Sequence, residues 1–270
     1  MSEKLPLLPV KSDFVFKLIF GDQRNVDILI SFLASILDLP IGEYERLTII
    51  DPHIKKESLD DKYGVLDVKV QSKSGNVVHI EIQLQVNKGI TARTVYSQSK
   101  LITEQITSGQ SWSVLKRAIT IVITDEVFVP QGDKYHHQFR YRTDDGVEFT
   151  NLVEINTLDL RKLPTSEDGT DLWHWMRFIQ TQDEEDMKMI ATRSPQMRKA
   201  VGILKELSAD ERTRMIYESQ EMARRDIESK IEDAVEKKEL EMLVALAEKD
   251  AELAEKDAEL EKLRAQLAKQ

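Results

Sequence analysis

The segment VLDVKVQSKSGNVVHIEIQLQV, residues 65–86, decides the fold predicted for this chain. Apolar and polar residues alternate strictly along both of its halves, which is the pattern of two half-buried β-strands. Lys73-Ser74-Gly75 between them suits a three-residue hairpin loop with Gly75 in the left-handed conformation. That loop pairs Ser72 with Asn76, so the numbers of paired residues sum to 148.

This register places Asp67 opposite Glu81 and Lys69 opposite His79, with Gln83 further along the same polar face. Directly opposed residues have Cβ atoms about 5 Å apart, and like charges at that distance destabilise a sheet. Alternation alone favours a polar face that is solvated. The facing carboxylates instead favour a bound divalent cation between them, and both interpretations stay open at this point.

The amino-acid composition excludes several classes of protein. The 270 residues carry a net charge of −10 and no cysteine, which excludes a disulfide framework, a thiolate metal site and a cysteine nucleophile. We expect a soluble cytoplasmic protein without membrane association, because no signal-peptide layout and no apolar run of about 18 residues is found. The charge is −4 over residues 1–170 (20 basic, 24 acidic) and −6 over residues 171–270 (18 basic, 24 acidic). Any DNA-binding hypothesis must account for this acidity.

The other patterns predict an α/β fold, an α+β mixed sheet flanked by helices. Ser12 is a candidate N-cap, and helical spacing of apolar residues follows it. A β-branched run, AITIVIT, indicates a buried strand. The predicted elements after Ser12 are helices over 13–20, 25–37 and 91–107, strands over 47–50 and 118–124, and a second hairpin over 135–142 and 147–154.

From residue 171 onward helical periodicity replaces the β pattern. We expect three parts: a sheet domain over 1–165, a helical region over 171–240 and a low-complexity heptad helix over 241–270. Trp173, Trp175, Phe178 and Ile179 are expected core anchors of the helical part. The histidines His136, His137 and His174 are expected to be surface or structural residues, since none has a second ligand at metal-binding spacing.

The tail has a seven-residue repeat. Leucine recurs at Leu246, Leu253, Leu260 and Leu267, which favours a left-handed coiled coil and a homo-oligomer formed through the C-terminal helix. The other core position is poor, because it holds lysine or aspartate. A solvated single helix supported by Glu–Lys pairs is the alternative.

The predicted helix over 91–107 carries a polar stripe. Arg93, Tyr96 and Lys100 stand at i, i+3 and i+7 and so share one face. That face suits a phosphate backbone, and it equally suits an exposed amphipathic helix with no ligand.

Five blocks carry a family resemblance. They are SDFVFKLIFG (12–21), LDVKV (66–70), HIEIQ (79–83), RTVYSQSKLITEQITSGQSW (93–112) and AITIVITDEVF (118–128). Their order and spacing resemble the bacterial family of recombination-promoting nucleases and transposases within the PD-(D/E)XK nuclease superfamily. The resemblance implies a restriction-endonuclease-like sheet flanked by helices, with DNA as the partner and the bacterial cytoplasm as the location.

The resemblance also implies a metal site. Asp67 and Glu81 would hold Mg²⁺, with Mn²⁺ as a substitute, through oxygen ligands, and the backbone carbonyl of Ile82 would be a third ligand. Such an ion lowers the pKa of a bound water and neutralises charge on the phosphate. Gln83 stands where the superfamily has a lysine beside the water, and Leu66 stands where it has proline.

Because glutamine replaces this lysine, another residue must supply its positive charge. Lys69, on the same face, or Lys100, from the following helix, are the candidates. Asp13 matches the family's first-helix acid and is a candidate for the metal shell, while Arg93 and Tyr96 are expected to contact phosphate or support the site. The resulting hypothesis is a Mg²⁺-dependent endodeoxyribonuclease that promotes recombination. The alternative is a non-catalytic protein with the nuclease fold that self-associates through its C-terminal helices.

Overall fold

The computed structural model of the chain describes residues 5–37, 47–50, 68–84 and 88–267. Six described strands form one sheet in the order β1-β2-β3-β4-β6-β5. The strands β3, β4 and β6 are parallel, whereas β1–β2, β2–β3 and β5–β6 are antiparallel. The strands are β1 Thr48–Ile49, β2 Val68–Gln71, β3 Val77–Gln83, β4 Ala118–Thr124, β5 His136–Arg142 and β6 Glu148–Asp159.

The described α-helices stand before, between and after the strands, so the predicted α/β fold with a mixed sheet is confirmed. The chain divides into two compact units, Met1–Arg214 and Met215–Gln270. The predicted boundaries at residues 165, 171 and 240 stay predictions. The helices are α1 Asp13–Phe20, α2 Val26–Ile36, α3 Ile90–Thr103, α4 Asp171–Gln180, α5 Glu184–Arg193, α6 Pro195–Ala209 and α7 Glu211–Leu267.

The first hairpin has the predicted register. All four β2–β3 pairs, from Val68 with Ile80 to Gln71 with Val77, sum to 148. Its loop closes with a hydrogen bond of 2.8 Å from the Ser72 amide to the Asn76 carbonyl. Gly75 has φ +94°, a left-handed conformation that glycine adopts without the cost of a Cβ clash.

The prediction that this hairpin is half-buried is wrong for β3, whose residues Val77 to Ile82 are all buried. Two neighbours account for this. The strand β4 pairs with β3 in parallel along its whole length, so β3 is an interior strand. The helix α3 packs beside β4 and covers the polar face of the sheet, where Leu101 packs with Val77 and Ala118. Alternation reports the chemistry of the two faces, and packing decides whether the polar one meets water.

Aromatic side chains join the N-terminal helices to α4. Phe20 lies 4.4 Å from Phe16, 5.1 Å from Phe32 and 5.7 Å from Trp175, measured between ring centroids. Trp173, Trp175, Phe178 and Ile179 are buried, which confirms them as core residues. Ser12 caps α1 as predicted, its hydroxyl oxygen accepting a hydrogen bond from the Val15 amide.

The second hairpin is less regular than the first. Gly146, with φ +90°, lies in the predicted turn between β5 and β6. Arg142 pairs with Glu148, but Arg140 pairs with Glu154, and the register shifts between these two positions. The second compact unit is the greater part of α7, an unbroken helix over the heptad tail. Within the described residues, no helix combines the length and apolar content needed to cross a bilayer.

Candidate functional site

The carboxyl end of β3 brings polar side chains to the face that α3 covers. Glu81 and Gln83 are two positions apart in β3, so they point to the same side of the sheet. Glu81 lies beside Val122 of the parallel strand β4, near the carboxyl end of both strands. In open α/β sheets, ligands bind outside the carboxyl ends of the parallel strands. The position of Glu81 and Gln83 therefore fits a functional site.

The helix α3 is fixed over this face by a buried amide. The side chain of Gln98 donates a hydrogen bond of 2.8 Å to the Ala118 carbonyl and accepts one from the Thr120 hydroxyl. Both partners lie on β4, so one side chain links the middle of the helix to the centre of the sheet. The link sets which residues of α3 face β3, and Arg93 is one of them.

Glu81 is the central residue of the site. Its side chain is 2% exposed, and its Oε1 lies 2.8 Å from Arg93 Nη2. The same oxygen accepts a hydrogen bond of 2.9 Å from the Gln83 amide nitrogen. Burial of a carboxylate is costly without such partners. Arg93 is 39% exposed, so its guanidinium bridges the buried acid and the solvent.

The two lysines proposed to replace the missing one meet a different acid. Lys69 Nζ lies 2.8 Å from Glu104 Oε2, and Lys100 Nζ lies 3.6 Å from Glu104 Oε1. The hydrogen bond from Lys69 lowers the pKa of the Glu104 carboxyl. The structure thus brings the charge of Arg93 to Glu81, and it brings the charges of Lys69 and Lys100 to Glu104.

The remaining predicted site residues are spread out. Ile82 is buried in β3 beside Ile123, and Tyr96 is exposed on α3. Asp13 is the first residue of α1 and is half-buried. Asp67, predicted to face Glu81, lies outside the described residues, as does Leu66.

A divalent cation fits the described donors in part. The Glu81 carboxylate and the Ile82 carbonyl are hard oxygen ligands of the kind that Mg²⁺ prefers. Among residues 5–37, 47–50, 68–84 and 88–267, no group of three or more histidine, cysteine, aspartate or glutamate side chains is placed to hold a metal. A complete ligand set therefore requires Asp67.

Sequence reasoning missed two residues that shape the site. Gln98 lies in the buried row of α3 with Ile90, Thr94 and Leu101, and a lone amide in such a row is a detectable signal of a buried anchor. Glu104 follows Lys100 by four residues, a spacing that predicts a helical ion pair. Its second partner, Lys69, lies 35 residues away in the chain, and only the fold brings the two together.

Comparison with known proteins gives one match. No curated protein and no solved structure matches the chain. A family model described as PD-(D/E)XK nuclease family transposase matches residues 10–234, which span the sheet, α3 and the helices up to the first half of α7. The Asp-to-Glu-x-Gln pattern found at the hairpin lies inside this match. With the mixed sheet and the buried acid of β3 in place, the chain belongs to the PD-(D/E)XK nuclease family of transposases.

Proposed function

We propose that the chain is a metal-dependent DNA endonuclease that hydrolyses phosphodiester bonds and promotes recombination in the bacterial cytoplasm. One observation carries the proposal: in a chain of this nuclease family, Glu81 is buried at the carboxyl end of β3 and held by Arg93 and Gln83.

The proposed cofactor is Mg²⁺, with Mn²⁺ as a substitute. Asp67, Glu81 and the Ile82 carbonyl would hold it, since all three offer oxygen atoms. When bound, such an ion lowers the pKa of a coordinated water and neutralises charge on the phosphate.

Two residues of the described site assist in this proposal. Arg93 places its positive charge 2.8 Å from the Glu81 carboxylate and fixes its position, and its partly exposed guanidinium can also contact a phosphate. Gln83 donates its amide hydrogen to Glu81, so its amide oxygen remains to accept a hydrogen bond from a water and orient it. The positive charge that lysine supplies elsewhere in the superfamily comes here from Arg93.

The test is nicking of supercoiled plasmid with and without Mg²⁺. We expect Asp67→Asn and Glu81→Gln to abolish Mg²⁺-dependent nicking. Glu185→Gln, an exposed acid on α5 given the same chemical change, is expected to cut like the wild type. Circular dichroism melting curves establish that each variant is folded.

Two results count against the proposal. Nicking by Asp67→Asn and Glu81→Gln at the wild-type rate removes the site assignment. Absence of both nicking and Mg²⁺ or Mn²⁺ binding in the wild type, measured by calorimetric titration, supports the alternative of a non-catalytic scaffold.

The self-association that belongs to the alternative is supported by one feature of the second compact unit. All described side chains of α7 between residues 229 and 260 are exposed, apolar ones included. Seven apolar residues fall within about 100° of the helix circumference, counted at about 100° per residue. They are Ile227, Ile231, Val235, Met242, Leu246, Leu253 and Leu260.

We propose that this stripe pairs with a second copy of the chain, whether or not the chain cuts DNA. A long helix with one apolar stripe gains stability by burying that stripe. Sedimentation velocity of the full chain tests the pairing. We expect Leu246→Glu with Leu253→Glu to lower the sedimentation coefficient to that of a monomer, and Ala247→Glu with Ala251→Glu on the opposite side to leave it unchanged. The reverse pattern would assign the pairing to the other side of α7.

A further inference from the structure

The segment KYHHQFRYRT, residues 134–143, contrasts with the rest of this acidic chain. It holds Lys134, Arg140 and Arg142, two histidines and three aromatic residues, and it holds no acidic residue. Surfaces that bind single-stranded nucleic acid combine basic and aromatic side chains. Because successive residues of a strand point to opposite faces, the rings and the arginines flank β5 from its two sides. The segment is a local exception to the acidity that opposes DNA binding elsewhere.

The fold exposes this segment at a border of the sheet. The strand β5, which contains most of it, stands at the end of the strand order. Phe139 and Tyr141 on β5 are 45% and 56% exposed, and Phe149 on β6 is 83% exposed. Single exposed aromatics are common on protein surfaces, but three on one hairpin form a patch that folding does not explain.

Hydrogen-bond donors lie beside these rings. Gln138, Phe139, Arg140 and Arg142 line a hollow of about 410 Å³. Arg140 lines the hollow but is held by a bond of 2.7 Å from its Nε to the buried Glu154, so it belongs to the ion-pair network of the sheet. The half-exposed Arg142 lies 4.0 Å from Glu148, a distance too long for a strong hydrogen bond.

The aromatic face of β5 is continuous with the face of the candidate site. His137 pairs with Thr157, Thr157 with Val122 and Val122 with Glu81, so these four residues form one row across the sheet. Directly paired residues share a face, and neighbouring strands are about 4.8 Å apart. His137 therefore lies about 14 Å from Glu81 on the same face, with the buried Thr157 and Val122 between them. Arg140, which pairs with Glu154, lies on the opposite face.

We propose that β5, together with Phe149, binds a single-stranded segment of DNA at this border of the sheet. Arg142 contacts a phosphate, and Phe139, Tyr141 and Phe149 stack on unpaired bases. The proposal rests on the proposed nuclease function and names its DNA-binding surface.

The experiment uses the full-length Glu81→Gln protein as a host that does not cut, and fluorescence anisotropy with a labelled single-stranded oligonucleotide and its duplex. We expect Tyr141→Ala with Phe149→Ala to raise the Kd for the single strand about tenfold or more, since each stacked base contributes strongly. Arg142→Gln is expected to weaken binding and reduce the slope of log K against log salt concentration by about 0.7. The matched controls are Trp112→Ala, an exposed aromatic, and Lys188→Gln, an exposed cation, and both should bind like the host.

The outcomes separate this inference from the nuclease proposal. Wild-type protein that cuts DNA, with β5 variants that bind and cut like their parents, overturns the β5 inference alone. Wild-type protein that neither cuts with Mg²⁺ nor binds DNA in EDTA overturns both. Variants that keep their DNA affinity but change the sedimentation coefficient assign the patch to a second copy of the chain instead.

Discussion

Two glutamates are buried almost completely in the same sheet, and they differ in what surrounds them. Glu81 is 2% exposed and Glu154 is 1% exposed, and each forms ion pairs with arginine. Glu154 pairs with Ile119 at the start of β4, whereas Glu81 pairs with Val122 near its end. Because these two β4 residues are three apart, the glutamates lie on opposite faces of the sheet.

Glu154 lies within a closed network. Its carboxylate accepts hydrogen bonds from Arg117, from Arg140 Nε at 2.7 Å and from the Asn156 amide at 2.9 Å. Burial by itself would raise the pKa of Glu154, but these hydrogen bonds outweigh it and lower the pKa below its usual value. Both arginines are less exposed than Arg93, so the network is nearly shut off from water.

Burial and an arginine partner are thus not sufficient to identify a functional acid. The arginine of Glu81 is 39% exposed and lies at the carboxyl end of parallel strands, where a ligand can approach. The arginines of Glu154 tie β5 and the start of β4 to β6. We interpret Glu81 as the acid of the site and Glu154 as an acid that holds the sheet together.

The sharpest test of this contrast is catalytic. Glu81→Gln should reduce the rate of Mg²⁺-dependent plasmid nicking by about 100-fold or more, because a metal-holding carboxylate is lost. Glu154→Gln, measured at a temperature where it is fully folded, should retain most of the rate. Equal loss of rate in the two variants would show that both acids act only through stability.

The second test compares the same acids by protein stability instead of by nicking rate. Glu154→Gln should lower the free energy of unfolding by about 3 kcal/mol, since two largely buried arginines lose their counter-charge. Urea denaturation followed by circular dichroism measures this. Glu148→Gln, an exposed acid on the same strand, should change it by less than about 0.5 kcal/mol. A Glu154→Gln protein as stable as the wild type would contradict the structural role of this acid.

The third test concerns the helix that covers Glu81. Gln98→Ala should lower the free energy of unfolding by about 2 kcal/mol, because the Ala118 carbonyl and the Thr120 hydroxyl lose a buried partner. The adjacent Ser99→Ala, whose hydroxyl is exposed and bonds within the helix, should be nearly neutral. If Gln98→Ala is also neutral in urea denaturation, α3 is held by apolar contacts alone.

The smallest expected effect is a pH dependence. The lowered pKa of Glu154 contributes stability that is present above the unfolded-state pKa of about 4.3 and is lost as the pH falls through the folded-state pKa. Stability of Glu154→Gln should therefore fall less steeply between about pH 5 and pH 3 than that of the wild type. Parallel curves from thermal melts across this range would show that Glu154 does not contribute.

The local sequence was sufficient to predict the strands, turn and register of the first hairpin. Period-two alternation defines two strands, and Gly75 permits a three-residue turn, so the register follows from backbone geometry alone. The same local logic located α1, α2 and β4. The second hairpin shows the limit of prediction from local sequence. Its turn at Gly146 was predictable, but the register shift that brings Arg140 to Glu154 arises within the sheet.

The sequence by itself therefore determined the strands, the turn and the identity of the acids on the polar face. Only the tertiary structure decided that this face is buried, that Arg93 rather than Lys69 or Lys100 reaches Glu81, and that Glu154 has a network of its own. The physical reason is the distance along the chain between the residues that interact. Strand alternation and turn conformation depend on neighbouring residues, whereas ion pairs depend on where packing places segments that are far apart in the chain.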